Sequence, residues 1–116
     1  MALHFTREEL VQRRQRAIEL MSKRGLDGLL MFRQESMFYL TGYDTFGYVF
    51  FQCLYLGADG RLMLLTRAPD RLQAMHTSMI EDIRIWVDGP DAKPAEELRE
   101  ILRGLGLASK KLGVEY

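Results

Sequence analysis

The sequence contains very little cysteine. Cys53 is the one cysteine among 116 residues, so the chain cannot form an internal disulfide, and it has no Cys-x-x-Cys pair with which to begin a zinc site. Small secreted domains commonly depend on disulfides, whereas proteins of reducing compartments do not. We therefore predict a cytoplasmic protein. Because Cys53 lies in an apolar run without cationic neighbours, we expect a buried, inert thiol.

The sequence also lacks an excess of either charge and lacks a long apolar run. Lysine plus arginine number 16 and aspartate plus glutamate number 16, whereas nucleic-acid binders usually carry a positive surplus that neutralises phosphates. The arginines at 13, 14 and 16 lie among glutamates and are interpreted as a solvated helix face. The longest apolar stretch, 46–58, is interrupted by Gln52 and is shorter than the roughly 20 residues of a membrane-spanning helix. We predict neither a nucleic-acid partner nor a membrane segment.

Residues suited to catalysis are scarce. The two histidines, His4 and His76, are not spaced as helical metal ligands, and His76 falls on a predicted helix face rich in methionine, which favours a packing role. No serine lies in a Gly-x-Ser-x-Gly turn, and no Gly-x-Gly-x-x-Gly follows a strand. The chain is therefore predicted to hold no catalytic residue and no metal ligand of its own.

The first half of the chain predicts a helix, a strand, a short helix and a hairpin. Thr6 and Glu9 form a capping-box pattern at the start of a helix that ends at 23–25. That helix carries an apolar stripe: Leu10, Ala17, Ile18 and Met21. The later elements are a strand over 28–32, a short helix over 35–40, a strand over 48–56, an Asp-Gly turn at 58–60 and a returning strand over 61–66.

The second half predicts two helix–strand units. A helix beginning at Pro69 precedes a strand in which Ile83, Ile85 and Val87 form the buried face, and a helix beginning at Pro94 precedes a strand over 112–116. Strands separated by helices favour an α/β domain with a mixed, mostly parallel sheet and helices on both faces. The strands over 28–32, 48–56 and 61–66 carry no carboxylates in their interiors, which argues against a magnesium-dependent nuclease.

The stretch LTGYDTFGYVFFQ, residues 40–52, is unusually rich in aromatic residues. Alternation along a strand would place apolar residues on both faces, as a central strand requires, so most of these rings are expected in the core. Exposed rings in the same stretch would instead line a binding site.

The segment Met37-Phe38-Tyr39-Leu40-Thr41-Gly42-Tyr43, preceded by the apolar strand 28–32, resembles the signature of the creatinase/prolidase N-terminal domain. The resemblance implies a three-layer α/β/α fold with ribonuclease H-like topology. It also implies a larger pita-bread catalytic domain of the M24 metallopeptidase type, as in Xaa-Pro aminopeptidases and dipeptidases. That domain would bind two divalent ions (Mn, Co or Zn). The sequence stops at Tyr116 within a strand pattern, so we expect residues 1–116 to be one domain of a longer protein.

The same resemblance implies a role in a homodimer, where this domain covers an active site that accepts a short peptide. In creatinases a Phe-Gly-Arg after the signature holds the substrate carboxylate from across the dimer. A gapless match places Tyr48 on that phenylalanine and Phe50 on that arginine, which argues against creatine as the substrate. The expected substrate contacts are Tyr43, Tyr48 and Phe50. The alternative left open is a free-standing α/β module that binds a small molecule or a protein.

Overall fold

The computed structural model describes residues 6–43, 51–68, 74–75, 78, 80, 82–87, 89–107 and 110–114. Within these residues three helices and five strands have defined bounds. In chain order they are α1 Arg7–Lys23, β1 Gly28–Met31, α2 Gln34–Thr41, β2 Cys53–Gly57, β3 Leu62–Arg67, β4 Ile83–Trp86, α3 Pro94–Gly104 and β5 Leu112–Val114.

The described strands form one mixed sheet in the order β4-β3-β2-β1-β5. The pairs β1–β2 and β2–β3 are antiparallel, and the pairs β1–β5 and β3–β4 are parallel. The mixed sheet agrees with the prediction, although parallel pairs equal antiparallel pairs in number instead of exceeding them. The difference arises because β2 returns beside β1 after the short helix α2, as well as forming the hairpin with β3.

Helices cover both faces of the sheet, which confirms the three-layer α/β/α architecture. On one face, α1 and α2 contribute Met21, Met37 and Leu40 to a cluster that includes Leu54 and Leu64 of the central strands. On the other face, α3 contributes Leu98 to a second cluster built on the alternate strand residues. Successive residues of β2 and β3 point to opposite faces and so contribute to the two clusters in turn. Because both faces are covered, these strands are continuous apolar runs in the sequence.

Local signals set the ends of α1 and the hairpin turn where the sequence predicts them. The backbone N–H of Glu9 donates to Thr6 Oγ1 at 3.2 Å, and the Glu9 carboxylate accepts from the Thr6 N–H at 3.4 Å. Gly25 follows the helix at φ +69°, a conformation that suits glycine. In the β2–β3 turn, Gly60 lies at φ +92° and Asp59 Oδ1 accepts from the Arg61 N–H at 3.0 Å.

The predicted buried face of β4 is wrong. Trp86 is buried at 6 % exposure, whereas Ile85 and Val87 are 43 % and 66 % exposed. Ile83 is packed against the α1–α2 cluster, but β4 is the last described strand on its side of the sheet, and cover on that face does not extend to Ile85. Trp86 lies on the α3 face, opposite to Ile85, and joins the second cluster.

The arginine cluster of α1 is only partly solvated, contrary to the prediction. The Arg13 side chain is 15 % exposed, its Nη1 donates to the Tyr39 carbonyl at 2.8 Å, and its guanidinium lies 4.3 Å from the centre of the Tyr39 ring. Arg14 is half-buried, and its pKa is lowered by burial and by the nearby Arg7. Arg16 is exposed. Arg13 therefore helps to dock α1 on α2.

Several predictions fall outside the described residues. The helix expected from Pro69 is described at Ala74 and Met75, which are helical, with Ala74 buried and Met75 exposed. His4, His76 and most of the aromatic stretch lie outside the description. No helix in the part of the chain that the structure describes is long and apolar enough to cross a membrane.

Candidate functional site

The candidate site is the place where the aromatic stretch joins the domain. Residues 44–50 lie outside the described residues, and so do two predicted substrate contacts, Tyr48 and Phe50. The structure describes the residues on either side of this segment: Tyr43 before it, and Phe51 and Gln52 after it.

The chain reaches Tyr43 through a tightly specified helix end. Gly42 ends α2 in the left-handed conformation at φ +82°, and its N–H donates to the Phe38 carbonyl at 2.9 Å. The Thr41 hydroxyl donates to the Met37 carbonyl at 2.6 Å and accepts from the Tyr43 N–H at 3.1 Å. Thr41 and Gly42 therefore both have a structural role, because glycine permits the left-handed turn and the threonine hydroxyl bridges it.

The Tyr43 side chain is fully buried and joins the two ends of the segment. Its hydroxyl donates to Gln52 Oε1 at 2.9 Å and lies 3.1 Å from Thr66 Oγ1 on β3. Gln52 and Thr66 are also buried, at 3 % and 0 % exposure. A buried polar group without a partner costs about 1–3 kcal/mol, so three that satisfy one another define a unique arrangement.

Two further side chains hold the backbone on either side of the segment. Gln34 Nε2 donates to the Tyr43 carbonyl at 2.9 Å, and Gln34 Oε1 accepts from Gln52 Nε2 at 3.2 Å. Trp86 Nε1 donates to the Phe51 carbonyl at 2.9 Å. We call the set that joins these ends the stem: Gln34, Tyr43, Phe51, Gln52, Thr66 and Trp86.

The stem also explains why β2 begins later than predicted. A strand was expected from residue 48, but among the described residues it starts at Cys53. The Phe51 carbonyl is taken by the Trp86 indole, and the Phe51 ring packs beside Phe32 at a centre-to-centre distance of 5.9 Å. The Phe51 carbonyl therefore accepts a hydrogen bond from a side chain in place of one from the backbone of a neighbouring strand.

The chemistry of the stem suits positioning. Its polar groups are amides, hydroxyls and an indole, and their hydrogen bonds hold the neighbouring parts of the chain in place. Elsewhere, Cys53 is fully buried, and burial raises the pKa of its thiol to about 12, which fits the predicted inert thiol. Among the described residues, no three histidine, cysteine, aspartate or glutamate side chains converge as metal ligands.

Sequence reasoning found one member of the stem, Tyr43, and missed the others. The signals were present but weak: Gln52 is a single amide inside an apolar run, and Thr66 ends an apolar strand. The structure places Tyr43 in the interior of this chain with its hydroxyl directed at Gln52 and Thr66. Its contact with substrate stays a prediction, as do those of Tyr48 and Phe50.

The sequence model of the family described as Creatinase/Prolidase N-terminal domain matches residues 13–116. The chain is 31 % identical over 121 residues to an ectoine hydrolase of Halomonas elongata, an alignment that covers 98 % of this chain and 30 % of that protein. The chain thus spans about a third of the length of the curated relatives that it matches.

Solved structures show the same fold. A dipeptidase from Pyrococcus horikoshii OT3 superposes with a TM-score of 0.71 at 28 % identity, covering 89 % of this chain and 28 % of that one. The N-terminal domain of an Xaa-Pro dipeptidase from Lactobacillus brevis superposes with a TM-score of 0.76 at 11 % identity, covering 89 % and 75 %. The second likeness bears on the fold alone.

Proposed function

Because this chain belongs to the creatinase/prolidase N-terminal domain family, we propose that it is a non-catalytic domain of an M24-type hydrolase, which covers the active site and contributes to a homodimer. The relatives in which this domain occurs are about three times its length, which supports a partner catalytic domain on the same chain. Our placement of the protein in the cytoplasm rests on its single, free cysteine, because proteins of reducing compartments rarely depend on disulfides.

The stem is the observation that carries this proposal. Four of its hydrogen bonds fix the chain on both sides of residues 44–50. Two run from a side chain to the backbone, and two join side chains. The bonds satisfy polar groups that are buried and at the same time anchor residues 44–50 at both ends, which supports a segment that is held in a fixed orientation toward a substrate. We assign substrate contact to Tyr48 and Phe50. To Tyr43 we assign the anchoring of the chain that leads to them.

The proposed substrate is a short peptide or an ectoine-like compound. One relative is named an ectoine hydrolase, and solved neighbours are named dipeptidases and Xaa-Pro dipeptidases. Two divalent ions, Mn, Co or Zn, would supply a metal-activated water in the catalytic domain. We propose that this chain orients substrate in that site and excludes water from it.

Substitution in the full-length protein tests the assignment of Tyr48 and Phe50. Changing either to Ala is expected to raise KM by about tenfold for the best Xaa-Pro or ectoine-like substrate, with a smaller change in kcat, because a lost binding contact weakens substrate more than it slows the chemistry. Leu20→Ala, an exposed apolar side chain of α1, is the control and should leave KM unchanged.

The 116-residue chain alone, supplied with Mn, Co or Zn, is expected to hydrolyse none of these substrates. Hydrolysis by the chain, after removal of contaminating proteases, would contradict the non-catalytic assignment. A parent gene that encodes no catalytic domain would contradict the proposal as a whole and favour the free-standing binding module.

A further inference from the structure

Arg67 ends β3 beside the point where residues 44–50 join the sheet. It is the Cα partner of Trp86 at the end of β4. The β2–β3 register pairs Cys53 with Leu65, and continuing it by two residues brings Phe51 opposite Arg67. Because Phe51 directly follows residues 44–50, Arg67 is the β3 residue at the level of that segment.

Aromatic side chains share the face of the sheet on which Arg67 lies. Leu65 and Trp86 belong to the cluster on the α3 face, and Phe32 and Phe51 pack against that cluster. The Phe32 and Phe51 rings are 5.9 Å apart between their centres. Because alternate residues of a strand point to the same face, Arg67 points to the side of Leu65. Arg67 therefore places a cation beside a row of aromatic side chains.

The surroundings of Arg67 favour binding of an anionic group. Arg67 is half-buried, and its Nε atom is shielded from solvent. A charge that is partly removed from water is screened less than an exposed one and attracts an anion more strongly. Two nearby arginines are placed differently: Arg33 is exposed at the start of α2, and Arg84 is paired with Asp82 at 3.1 Å. The residues of the stem carry no charge of their own.

We propose that Arg67 binds the terminal carboxylate of a short peptide substrate and thereby determines specificity for a free acid. The inference rests on the proposed function, and it adds a charged contact to the aromatic contacts assigned to Tyr48 and Phe50. A planar guanidinium can form two parallel hydrogen bonds with a carboxylate, and aromatic neighbours limit the access of water to that pair.

The carboxylate is an effective handle on a short peptide. In a dipeptide it lies within one residue of the bond that is cleaved, so a group that fixes the carboxylate also orients the scissile bond. A site that places a cation at this position disfavours a peptide amide, which leaves the cation without its anionic partner. Arg67 is accordingly expected to act on substrate binding, and the chemical step stays with the catalytic domain.

A dipeptide and its amide test this assignment in the full-length protein. The probes are Ala-Pro and Ala-Pro amide, which differ only at the carboxylate, and KM is measured for both. The wild type is expected to have a KM about 30-fold lower for the acid, because hydrogen bonds between charged groups are the stronger ones. Arg67→Gln should raise KM for the acid to about the value for the amide and leave the amide unchanged. If the protein cleaves neither probe, titration calorimetry with the same two probes supplies the comparison.

Two variants serve as controls. Arg67→Lys keeps the charge but loses the planar fork, so its preference for the acid should fall to about fivefold. Arg61 is an exposed arginine at the opposite end of β3, about 20 Å away at about 3.3 Å per residue. Arg61→Gln should therefore keep the full preference. Circular dichroism spectra of the three variants should coincide with that of the wild type.

The possible outcomes separate this inference from the proposed function. If Arg67→Gln keeps the preference for the acid, or weakens acid and amide equally as a purely structural change would, the inference on Arg67 is overturned alone. If Arg67→Gln does not fold, a preference in Arg67→Lys equal to that of the wild type overturns it. Normal KM values in Tyr48→Ala and Phe50→Ala would instead contradict the aromatic contacts and leave the acid preference standing. A wild type that neither cleaves nor binds either probe would overturn the short peptide as substrate and the role of Arg67 with it.

Discussion

At the scale of single residues, the Tyr43 hydroxyl is the most informative atom of the stem. It bonds Gln52 at 2.9 Å and lies 3.1 Å from Thr66, in a fully buried position. Tyr43→Phe removes the hydroxyl and leaves two buried polar atoms with fewer partners, so we expect the free energy of unfolding to fall by about 1–3 kcal/mol. Urea denaturation of the purified chain measures this loss.

Tyr39→Phe provides a matched control four residues earlier on α2. Tyr39 is half exposed, and water replaces whatever its hydroxyl loses, so the expected change in unfolding free energy is close to zero. If the two substitutions were equally costly, the Tyr43 hydroxyl would have no special structural role and the stem would lose its central bond.

The residues of the stem show why a site is harder to predict than a motif. Thr41 and Gly42 could be recognised because their roles depend on neighbours two to four positions away, whereas the Tyr43 hydroxyl depends on residues 9 and 23 positions away. Gln34 and Gln52 bond each other across 18 positions, and Thr66 is 14 positions from Gln52. Nothing in the local sequence specifies such partners, because the sheet brings them together only after the strands have paired.

At the scale of elements, the N-terminal cap of α1 makes a separable contribution to stability. Thr6→Ala removes the hydroxyl that accepts from the Glu9 N–H at 3.2 Å and should lower the free energy of unfolding by about 1 kcal/mol. The exposed Ser22, near the other end of the helix, supplies the comparison: Ser22→Ala should have little effect, because alanine favours helix and no cap is lost. Thermal unfolding of both variants distinguishes them, and equal losses would show that the cap contributes nothing.

Element boundaries followed from the sequence where local chemistry sets them, as at the capping box, Gly25 and the Asp59–Gly60 turn. The burial of β4 did not. Alternation correctly separated Ile85 and Val87 from Trp86, but alternation alone cannot say which side is covered. That depends on the position of β4 at the edge of the sheet and on the reach of the indole to Phe51, and both are properties of the assembled fold.

At the scale of the whole molecule, the chain combines a complete two-sided core with an absence of converging reactive groups among its described residues. The core clusters on both faces share the central strands β2 and β3, so a change buried in these strands affects the entire domain. Cys53 lies in this position, between β1 and β3 on β2, and its ionisation is therefore linked to global stability.

The chain is expected to lose stability in alkali. Burial raises the pKa of the Cys53 thiol to about 12, whereas an unfolded thiol ionises near about 8.5. Burial, followed by the charge of Asp59, also raises the pKa of Tyr55. Above the unfolded pKa, the unfolded chain releases protons that the folded chain retains. The contribution of the thiol is therefore fully present below about pH 8.5 and is lost as pH rises toward its folded pKa, at up to about 1.4 kcal/mol per pH unit.

Cys53→Ala isolates the thiol from this alkaline dependence. Both proteins retain Tyr55, so its contribution cancels in their difference. Urea denaturation between about pH 8 and about pH 11 should show that wild-type stability falls more steeply with pH than that of the variant, by an amount approaching about 1.4 kcal/mol per pH unit. The variant starts lower at pH 8 because the substitution leaves a small cavity, and the two stabilities converge as pH rises. Parallel pH profiles would mean that the folded thiol ionises as readily as the unfolded one, and they would contradict a thiol shielded from water in the centre of the sheet.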